Sequence, residues 1–489
     1  MKDSIWKRFS SFAMQNPEKT AIICDNQSIS YRLLLQTCLA YYDSFRRQGV
    51  CVGMHVGLWI EKSPDFAAAL FALFHAGAVV VPINTTYTSE AIEIATVAAN
   101  IKKIVYSKQM VKKAARLSKI TRQKLLFLDE KPMGAQTDTG PDISCEDCLF
   151  LLTSGSTGKP KIAVISQQAM LFRMDLEALR FSLHSDDRAL ISTPIYHSLG
   201  IRFLMTALTL GMTVVLPRAF QADQWLQLIH RHQITYTITV PAQIVEILAV
   251  ASKDTEQARE RLRSVRYILS TSAFLPEPVK RKFLHLVSGS FINFIASSET
   301  EYIAWADCRW EDPNGDLLGE AFPSVEVLIL RDGVPADSGT IGEIICKGAQ
   351  LFSAYYGDSS LTKSAFWNGY YRTGDLGFID ATGRLHYAGR MKGTIVCGGV
   401  NVYPKDIERV VSQLPQVKEC VSFGIPHPKY GEVPALAASG DGLSTEIIRR
   451  HCLKALAPYQ QPRKIFILDL LPKNEIGKVD LRLLKEICN

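Results

Sequence analysis

The chain has 489 residues, a formal net charge of +7, 47% hydrophobic residues and 21% charged residues. This length exceeds one ordinary hydrophobic core, so we predict two or more domains. The composition is typical of a soluble globular protein and excludes a disordered or fibrous one. The modest positive charge suits anionic small molecules, and we expect no nucleic-acid partner.

The N-terminal part of the chain has neither the pattern of an export signal nor that of a membrane span. Its first nine residues carry charge throughout and have the pattern of an amphipathic helix. The longest apolar run, residues 66–83, is interrupted by His75, Gly77 and Pro82. We therefore predict a buried helix, a glycine turn and a strand over residues 78–81, with no transmembrane segment.

The 11 cysteines are scattered along the chain. Cys145 and Cys148 form a C-x-x-C without a second pair at zinc-finger spacing, so we expect reduced structural thiols rather than a metal site or disulfides. Together with the N-terminal pattern, this predicts a cytoplasmic protein.

Apolar strand-like runs alternate with segments of helical spacing, which predicts an α/β fold with largely parallel sheets. The runs are residues 55–60, 78–81, 103–106, 125–128, 189–193 and 213–216. From about Gly319 the pattern changes to short strands, at residues 325–330 and 342–347, which predict a β-barrel-like region. We predict a large N-terminal domain of stacked α/β sheet subdomains plus this region, residues 1–389, followed by a small α+β domain, residues 390–489.

Residues 102–124 contain nine basic residues and no acidic one. Such a run is usually a solvated helix face. The alternative is a docking surface for an acidic partner.

The most informative segment is residues 151–161, Leu-Leu-Thr-Ser-Gly-Ser-Thr-Gly-Lys-Pro-Lys, which follows a predicted buried strand at residues 148–152. Gly155 and Gly158 allow close backbone approach. The other polar residues are hydroxyl donors and lysines: Thr153, Ser154, Ser156, Thr157, Lys159 and Lys161. A strand that ends in such a loop predicts a phosphate-binding site, whereas a flexible surface loop is the simpler alternative.

This loop is not a Walker loop, which requires Gly, four residues and then Gly-Lys-Ser/Thr. Thr153 stands where the first Gly would be, and Pro160 stands where the magnesium-binding hydroxyl would be. Because Pro160 disfavours helical geometry in its neighbour, we expect no phosphate-capping helix to begin there.

Five later segments are rich in polar residues, and four of them also contain glycine. They are Thr193-Pro-Ile-Tyr-His-Ser-Leu-Gly200, Asn293-Phe-Ile-Ala-Ser-Ser-Glu-Thr300, Tyr371-Arg-Thr-Gly-Asp-Leu-Gly377, Val396-Cys-Gly-Gly-Val-Asn-Val-Tyr-Pro404 and Pro472-Lys-Asn-Glu-Ile-Gly-Lys-Val-Asp-Leu-Arg482. Taken singly, His197 is more often structural than functional. Asp375 follows a glycine turn and could either stabilise that turn or accept two hydrogen bonds from a diol such as ribose.

In this order the segments resemble the adenylate-forming superfamily of acyl- and aryl-CoA synthetases, peptide-synthetase adenylation domains and firefly luciferase. The resemblance covers essentially the whole chain and is greatest to the acyl-CoA synthetases. It implies that the loop holds ATP phosphates, that Glu299 binds Mg²⁺ and that Lys161, His197 and Lys478 are catalytic. The implied cofactor contacts are Thr153, Ser154, Gly155, Ser156, Thr157, Gly158, Lys159, Ser272, Asn293, Ala296, Ser298, Asp375, Arg390, Gly398 and Gly399.

The implied reaction joins a carboxylic acid to CoA in two steps, through an acyl-adenylate with release of pyrophosphate. The resemblance implies that the small C-terminal domain is mobile, rotates about Lys392, withdraws Lys478 and presents Gly398 and Gly399 to the thiol. A carrier-protein phosphopantetheine is the alternative acceptor, and the basic run at residues 102–124 is compatible with it or with CoA phosphates.

Some positions depart from the family pattern. Ile295 replaces the usual Tyr, Ala296 and Ile162 replace Gly, and residues 270–275 lack the usual paired glycines. These changes keep open a second hypothesis, a decayed nucleotide-binding regulatory protein, which the intact Asp375, Arg390, Glu299 and Lys478 oppose.

The sequence does not define the acid. His197 offers no fixed negative charge to a substrate ammonium, so an α-amino acid is disfavoured. Arg202 could anchor a second carboxylate, although a surface role is the favoured interpretation.

Overall fold

The computed structural model describes residues 3–25, 27–128, 145–153, 161–271, 275, 277–312, 315–391, 393–397, 400–427, 430–474 and 478–488. It contains sheets of fifteen, seven and five strands with helices packed on them, so the predicted α/β class is confirmed. Among the described residues, no helix combines the length and the apolar character that crossing a membrane requires.

The chain begins with two helices that flank a β-hairpin. Ser4 caps the first helix by accepting a hydrogen bond from the Lys7 backbone N–H. The elements are α1 (Ile5–Gln15), β1 (Thr20–Cys24), β2 (Gln27–Ser30) and α2 (Tyr31–Arg47). The amphipathic pattern predicted for the N-terminus corresponds to α1, which buries its apolar face.

Six of the seven strands of the second sheet come next; they are mostly parallel, in the order β8-β7-β4-β3-β5-β6. Its elements are β3 (His55–Trp59), α3 (Pro64–His75), β4 (Val79–Pro82), α4 (Ser89–Ala98), β5 (Lys103–Tyr106), α5 (Val111–Leu117), β6 (Lys124–Phe127), β7 (Asp147–Thr153) and β8 (Lys161–Ser166). The apolar run at residues 66–83 forms a buried helix, a turn at Gly77 with φ of 67° and a strand, as predicted.

The parallel half of the fifteen-stranded sheet has the order β13-β12-β11-β9-β10-β1. Its elements are α6 (Gln167–Arg180), β9 (Arg188–Ile191), α7 (Ser198–Thr209), β10 (Thr213–Val215), α8 (Ala222–His232), β11 (Tyr236–Thr239), α9 (Pro241–Ala251), α10 (Thr255–Arg261), β12 (Tyr267–Ser270), α11 (Glu277–Leu284) and β13 (Ser290–Ile295). The carboxyl ends of these strands therefore share one edge, where ligands bind in open α/β sheets.

The other half of this sheet is antiparallel, in the order β17-β16-β18-β21-β22-β15-β14, which agrees with the change of pattern near Gly319. Its elements are β14 (Ala304–Asp307), β15 (Leu317–Ala321), β16 (Glu326–Arg331), β17 (Val334–Pro335), β18 (Gly342–Lys347), β19 (Ala354–Tyr355), α12 (Ser359–Ser364), β20 (Phe366–Trp367), β21 (Tyr370–Ile379) and β22 (Leu385–Arg390). β19 instead pairs with β8 and so ties this region to the seven-stranded sheet.

The last part of the chain has its own five-stranded sheet and its own apolar clusters. Its elements are β23 (Ile395–Cys397), β24 (Val400–Val402), α13 (Pro404–Val411), β25 (Glu419–His427), β26 (Gly431–Ser439), α14 (Thr445–Ala455), β27 (Lys464–Ile467) and α15 (Leu481–Ile487). The division after residue 389 stays a prediction.

Candidate active site

Two adjoining cavities lie at the carboxyl ends of β9, β11, β12 and β13. The larger, the His197 cavity, has a volume of about 550 Å³ and is lined by the loop that contains His197. The smaller, the Asp375 cavity, has a volume of about 280 Å³ and is lined by Asp375 and its neighbours. Thr271, Ala296 and Lys478 line both cavities, so the two spaces meet at these residues.

The phosphate loop is described only at its base. Thr153 and Lys161 are paired residues of the antiparallel β7–β8 hairpin, and the Thr153 hydroxyl lies 3.5 Å from the Lys161 carbonyl oxygen. Residues Ser154, Gly155, Ser156, Thr157, Gly158, Lys159 and Pro160 lie outside the described residues. A strand, and not a helix, begins at Lys161, which agrees with the effect predicted for Pro160.

The predicted magnesium ligand, Glu299, is buried and held by an aromatic side chain. Its Oε1 atom accepts a hydrogen bond of 2.9 Å from the Tyr355 hydroxyl, which lies 3.3 Å from the Tyr371 hydroxyl. The Lys161 ammonium lies 5.2 Å from the centroid of the Tyr355 ring. Tyr355 therefore links the base of the phosphate loop to Glu299.

The backbone around Glu299 is fixed from two sides. The buried Arg173 donates to the carbonyl oxygens of Ser298 and Glu299, at 3.3 and 3.2 Å, and the Phe352 N–H donates to the Glu299 carbonyl at 2.8 Å. Sequence reasoning missed both Tyr355 and Arg173, because neither belongs to a motif and both are far from Glu299 along the chain.

Asp375, Arg390 and Lys478 come together at the second cavity. Asp375 and Arg390 are paired residues of β21 and β22, and Arg390 Nε lies 2.7 Å from Asp375 Oδ1. Gly374 has φ of +71°, a left-handed conformation that favours glycine, but it lies within β21, so the glycine turn expected before Asp375 is instead an irregular position in a strand. The Lys478 N–H donates to Asn474 Oδ1 at 3.0 Å, and the Asn474 N–H donates to the Lys478 carbonyl oxygen at 2.7 Å.

Burial perturbs the two ionisable groups at this junction. It raises the pKa of Asp375 to about 6, although the nearby cations Arg390 and Lys478 oppose the shift. Burial also lowers the pKa of Lys478; Arg390 adds to this shift and Asp375 opposes it. The two groups are thus close enough to influence each other.

The predicted nucleoside contacts line these cavities. Asn293 and Ile295 line the Asp375 cavity, and Ser298 lines the His197 cavity. Ser272 lies outside the described residues. Tyr387 also lines the Asp375 cavity, so an aromatic ring is present there although Ile295 replaces the family's Tyr.

His197 is the N-cap residue of α7 and lines the larger cavity, with its ring tilted against Tyr196 at 4.7 Å between centroids. Gly200 explains the tightness of this turn. A Cβ atom there would lie 2.1 Å from the carbonyl oxygen of Pro194, so only glycine fits.

The surface role favoured for Arg202 is wrong. Arg202 is fully buried, forms an ion pair with Glu177, and places Nε 2.7 Å from Glu301 Oε1. Glu301 also accepts from Ser198 at 2.5 Å, and Arg173 lies 3.5 Å from it. Both carboxylates are needed to balance the charges of Arg202 and Arg173. Arg202 is therefore part of a buried ion-pair cluster beneath the His197 turn.

The basic run at residues 102–124 forms β5, α5 and the start of β6. α5 buries Ala114 and Leu117 and exposes Lys112 and Arg116, the solvated face favoured from the sequence. Lys113 donates to the carbonyl oxygen of Thr85 at 2.6 Å, and Thr85 lines the His197 cavity.

Lys392, Gly398 and Gly399 lie outside the described residues.

Comparisons with known proteins agree with this arrangement. A family model described as AMP-binding enzyme matches residues 9–356, and one described as AMP-binding enzyme C-terminal domain matches residues 406–478. The indoleacetate–CoA ligase of Aromatoleum aromaticum is 29% identical over 488 residues, which cover 95% of this chain and 94% of that protein.

Two solved structures match almost the full length. ATP-bound MatB from Rhodopseudomonas palustris gives a TM-score of 0.89 at 26% identity, covering 100% of this chain and 99% of that chain. The second structure is O-succinylbenzoate coenzyme A synthetase from Bacillus subtilis in complex with ATP and magnesium. It gives a TM-score of 0.86 at 25% identity, covering 99% of each chain. The resemblance found in the motifs is thus confirmed, and the chain belongs to the AMP-binding enzyme family.

Proposed function

We propose that this protein is an ATP-dependent ligase that activates a carboxylic acid as an acyl-adenylate and transfers the acyl group to CoA. The observation that carries the proposal is the position of Lys478, which lines both the His197 cavity and the Asp375 cavity. A cation at this junction lies where an acid in one cavity and a nucleotide in the other would meet.

In the first step a carboxylate oxygen attacks the α-phosphorus of ATP, and the bond from that phosphorus to pyrophosphate breaks. We assign the ribose to Asp375 and Arg390, and the nucleoside to Asn293, Ala296 and Tyr387. Lys478 stabilises the charge that develops on the α-phosphate, while His197 lies beside the carboxylate.

The phosphates are assigned to the loop between Thr153 and Lys161, with Ser298 contributing a hydroxyl. The described residues hold no group of three or more His, Cys, Asp or Glu side chains that could bind a metal. A lone carboxylate still fits Mg²⁺, which commonly takes one or two carboxylates and completes its shell with phosphates and water. Glu299 would hold the ion, which would supply positive charge to the phosphates.

In the second step a thiol attacks the acyl carbon, AMP leaves and the thiol proton is released. We propose that the small domain turns about Lys392, removes Lys478 and brings Gly398 and Gly399 to the thiol. CoA is the preferred acceptor, a carrier-protein phosphopantetheine is the alternative, and a cytoplasmic location remains our prediction.

The proposed function is tested by pyrophosphate release from ATP and Mg²⁺ across a panel of aliphatic, aromatic and dicarboxylic acids. We expect release with at least one acid and thioester formation when CoA is added. ATP binding without release for any acid would refute the proposal. Thioester formation with phosphopantetheinylated carrier protein but not with CoA would reassign the acceptor alone.

We predict that Tyr355→Phe weakens magnesium binding. The variant removes the hydroxyl that holds Glu299 Oε1, and loss of such a supporting contact typically lowers metal affinity by about 10-fold or more. Two readouts check this: the magnesium concentration that half-saturates pyrophosphate release, and the one that half-saturates thermal stabilisation by ATP.

The matched control is Tyr371→Phe, which leaves the direct contact between Tyr355 and Glu299 in place. We expect a smaller effect from this control. Equal magnesium requirements in wild type and Tyr355→Phe would contradict the positioning role of Tyr355.

We also predict that the nucleoside binds more weakly as the pH falls through about 6. Burial raises the pKa of Asp375 to about 6, so the side chain is protonated below this pH and loses the charge that accepts hydrogen bonds from ribose hydroxyls. Adenosine is the suitable probe, because it has no phosphate to titrate. Its dissociation constant, measured by calorimetry, should rise by up to about 10-fold per pH unit below that point.

The stability of the fold should respond in the opposite direction. Because the pKa of Asp375 is higher in the folded chain than its ordinary value of 3.8, ionised Asp375 costs stability above about pH 6. This cost disappears as the pH falls from about 6 towards 4. Asp375→Asn should bind adenosine weakly at every pH, and a wild-type affinity that does not vary with pH would refute the assignment.

A further inference from the structure

Lys62 places a half-buried cation on the wall of the His197 cavity. It follows β3 and immediately precedes Ser63, the N-cap residue of α3. Its ammonium donates to the carbonyl oxygens of Ile191, Ser192 and Thr193, at 3.2, 3.0 and 3.4 Å. These three residues end β9 and lead into the loop of His197, so the ammonium is fixed at the edge where the cavity opens.

The charge of Lys62 has no protein counter-ion among the described residues. No carboxylate of that part of the chain lies within 4.0 Å of its ammonium, and the three acceptors are neutral carbonyl groups. Charges that a protein withdraws from water, even in part, are normally paired, because losing hydration is costly. Burial lowers the pKa of Lys62 to about 8, the direction expected of a cation without a partner.

The other charged groups of this cavity are already engaged. The Glu61 carboxylate accepts a hydrogen bond from the Ser107 hydroxyl. Arg218 forms an ion pair of 2.7 Å with Asp25, and half of its side chain is exposed. Glu246 is exposed on α9.

Glu301, the remaining acidic residue on the cavity wall, is balanced by Arg202. None of these carboxylates compensates Lys62. An anionic group on a bound ligand would do so.

We propose that the acid substrate carries a second carboxylate and that Lys62 is the residue that binds it. The inference rests on the proposed function and names its substrate class, a dicarboxylic acid. One carboxylate lies at the His197 and Lys478 end of the cavity, and the other replaces the Thr193 carbonyl, the longest of the three contacts at 3.4 Å. A charge-assisted hydrogen bond then replaces a weak neutral one.

The alternative is that Lys62 only holds the end of β9. A structural role of this kind would affect every acid equally, whereas a binding role selects for the second charge. The test therefore compares KM for pyrophosphate release between acids of equal chain length: butanoate with succinate, hexanoate with adipate, and octanoate with suberate.

In the wild-type protein we expect at least one dicarboxylate to have a KM about 10-fold or more below that of its monocarboxylate. Lys62→Met should raise the KM of that dicarboxylate by about 10- to 100-fold and leave the monocarboxylate nearly unchanged. Lys62→Arg, which keeps the charge, should retain most of the preference. Lys103→Met is the matched control, because Lys103 also donates to a backbone carbonyl, that of Gln48 at 2.7 Å, but does not line the cavity.

Equal or lower KM values for the monocarboxylates in every wild-type pair would overturn this inference while leaving the ligase function intact. The same conclusion follows if Lys62→Met changes the KM values of the monocarboxylate and the dicarboxylate of a pair by the same factor. Absence of pyrophosphate release with all acids would overturn the proposed function itself, and this inference with it. If Lys62→Met does not fold, the wild-type comparison still tests the dicarboxylate class, and Lys62→Gln replaces Lys62→Met as the test of the residue.

Discussion

Replacing Lys478 by alanine is expected to lower the rate of pyrophosphate release by about 100- to 1,000-fold, the usual cost of removing one preorganised donor to developing charge. Lys478 lies at the junction of the two cavities, and no other lysine of the described chain lines both. The measurement is acid-dependent pyrophosphate release under saturating ATP. Because the lysine is presented by a loop near the end of the chain, we expect the thermal unfolding midpoint to stay the same.

The control is Lys473→Ala on the same loop, where the lysine forms an ion pair of 2.7 Å with Glu419 and lines neither cavity. It should keep nearly full activity. A second readout separates the half-reactions: supplied with acyl-adenylate and CoA, Lys478→Ala should still form thioester. Unchanged pyrophosphate release in Lys478→Ala would refute the assignment of the lysine.

Replacing Arg202 by methionine is expected to lower the free energy of unfolding by about 3 to 5 kcal/mol. The substitution leaves Glu177 and Glu301 buried without their shared cation, whereas the intact cluster balances both carboxylates. Urea titration followed by tryptophan fluorescence measures the effect. Since Arg202 lies just beyond His197 in α7, we also expect a loss of activity in the fraction that remains folded.

Arg32→Gln is the control for this experiment, because Arg32 forms an exposed ion pair with Glu18. Exposed pairs contribute at most about 1 kcal/mol, so its unfolding curve should nearly overlay that of the wild type. If Arg202→Met also changed the free energy of unfolding by no more than about 1 kcal/mol, the buried cluster would contribute little to stability.

Local patterns predicted the regular elements well. The apolar runs at residues 103–106 and 342–347 became strands with the same bounds, β5 and β18, because each run is short, apolar and flanked by turn residues. The same reasoning interpreted residues 66–83 correctly, since His75 and Gly77 fall at the helix end and in the turn. These predictions need only neighbouring residues.

Contacts between distant residues could not be predicted in this way. Tyr355 is 56 positions from Glu299, and Arg202 is 99 positions from Glu301, so no spacing rule relates them. The sequence favours a surface role for Arg202 because its buried partners are distant along the chain. Lys62 gives no sequence signal for the same reason, since its acceptors are backbone carbonyls more than a hundred positions away.

The motifs of the site are recognisable because their polar side chains, in most of them beside glycines, follow one another in a fixed order. The sequence does not show that these motifs come together in the fold. The structure places Lys478 and Ala296 on the walls of both cavities and Asp375 on the wall of the smaller one, although they come from three separate parts of the chain. This convergence supports an enzyme over a decayed regulatory protein.

Mass-spectrometric detection of the reaction intermediate tests the proposed two-step reaction. The protein would be incubated with ATP, Mg²⁺ and a panel of acids, first without and then with CoA. We expect an acyl-adenylate to accumulate with at least one acid and to be replaced by the acyl-CoA thioester and AMP after CoA is added. Bound ATP with neither adenylate nor thioester for any acid would contradict the proposed acid–CoA ligase function.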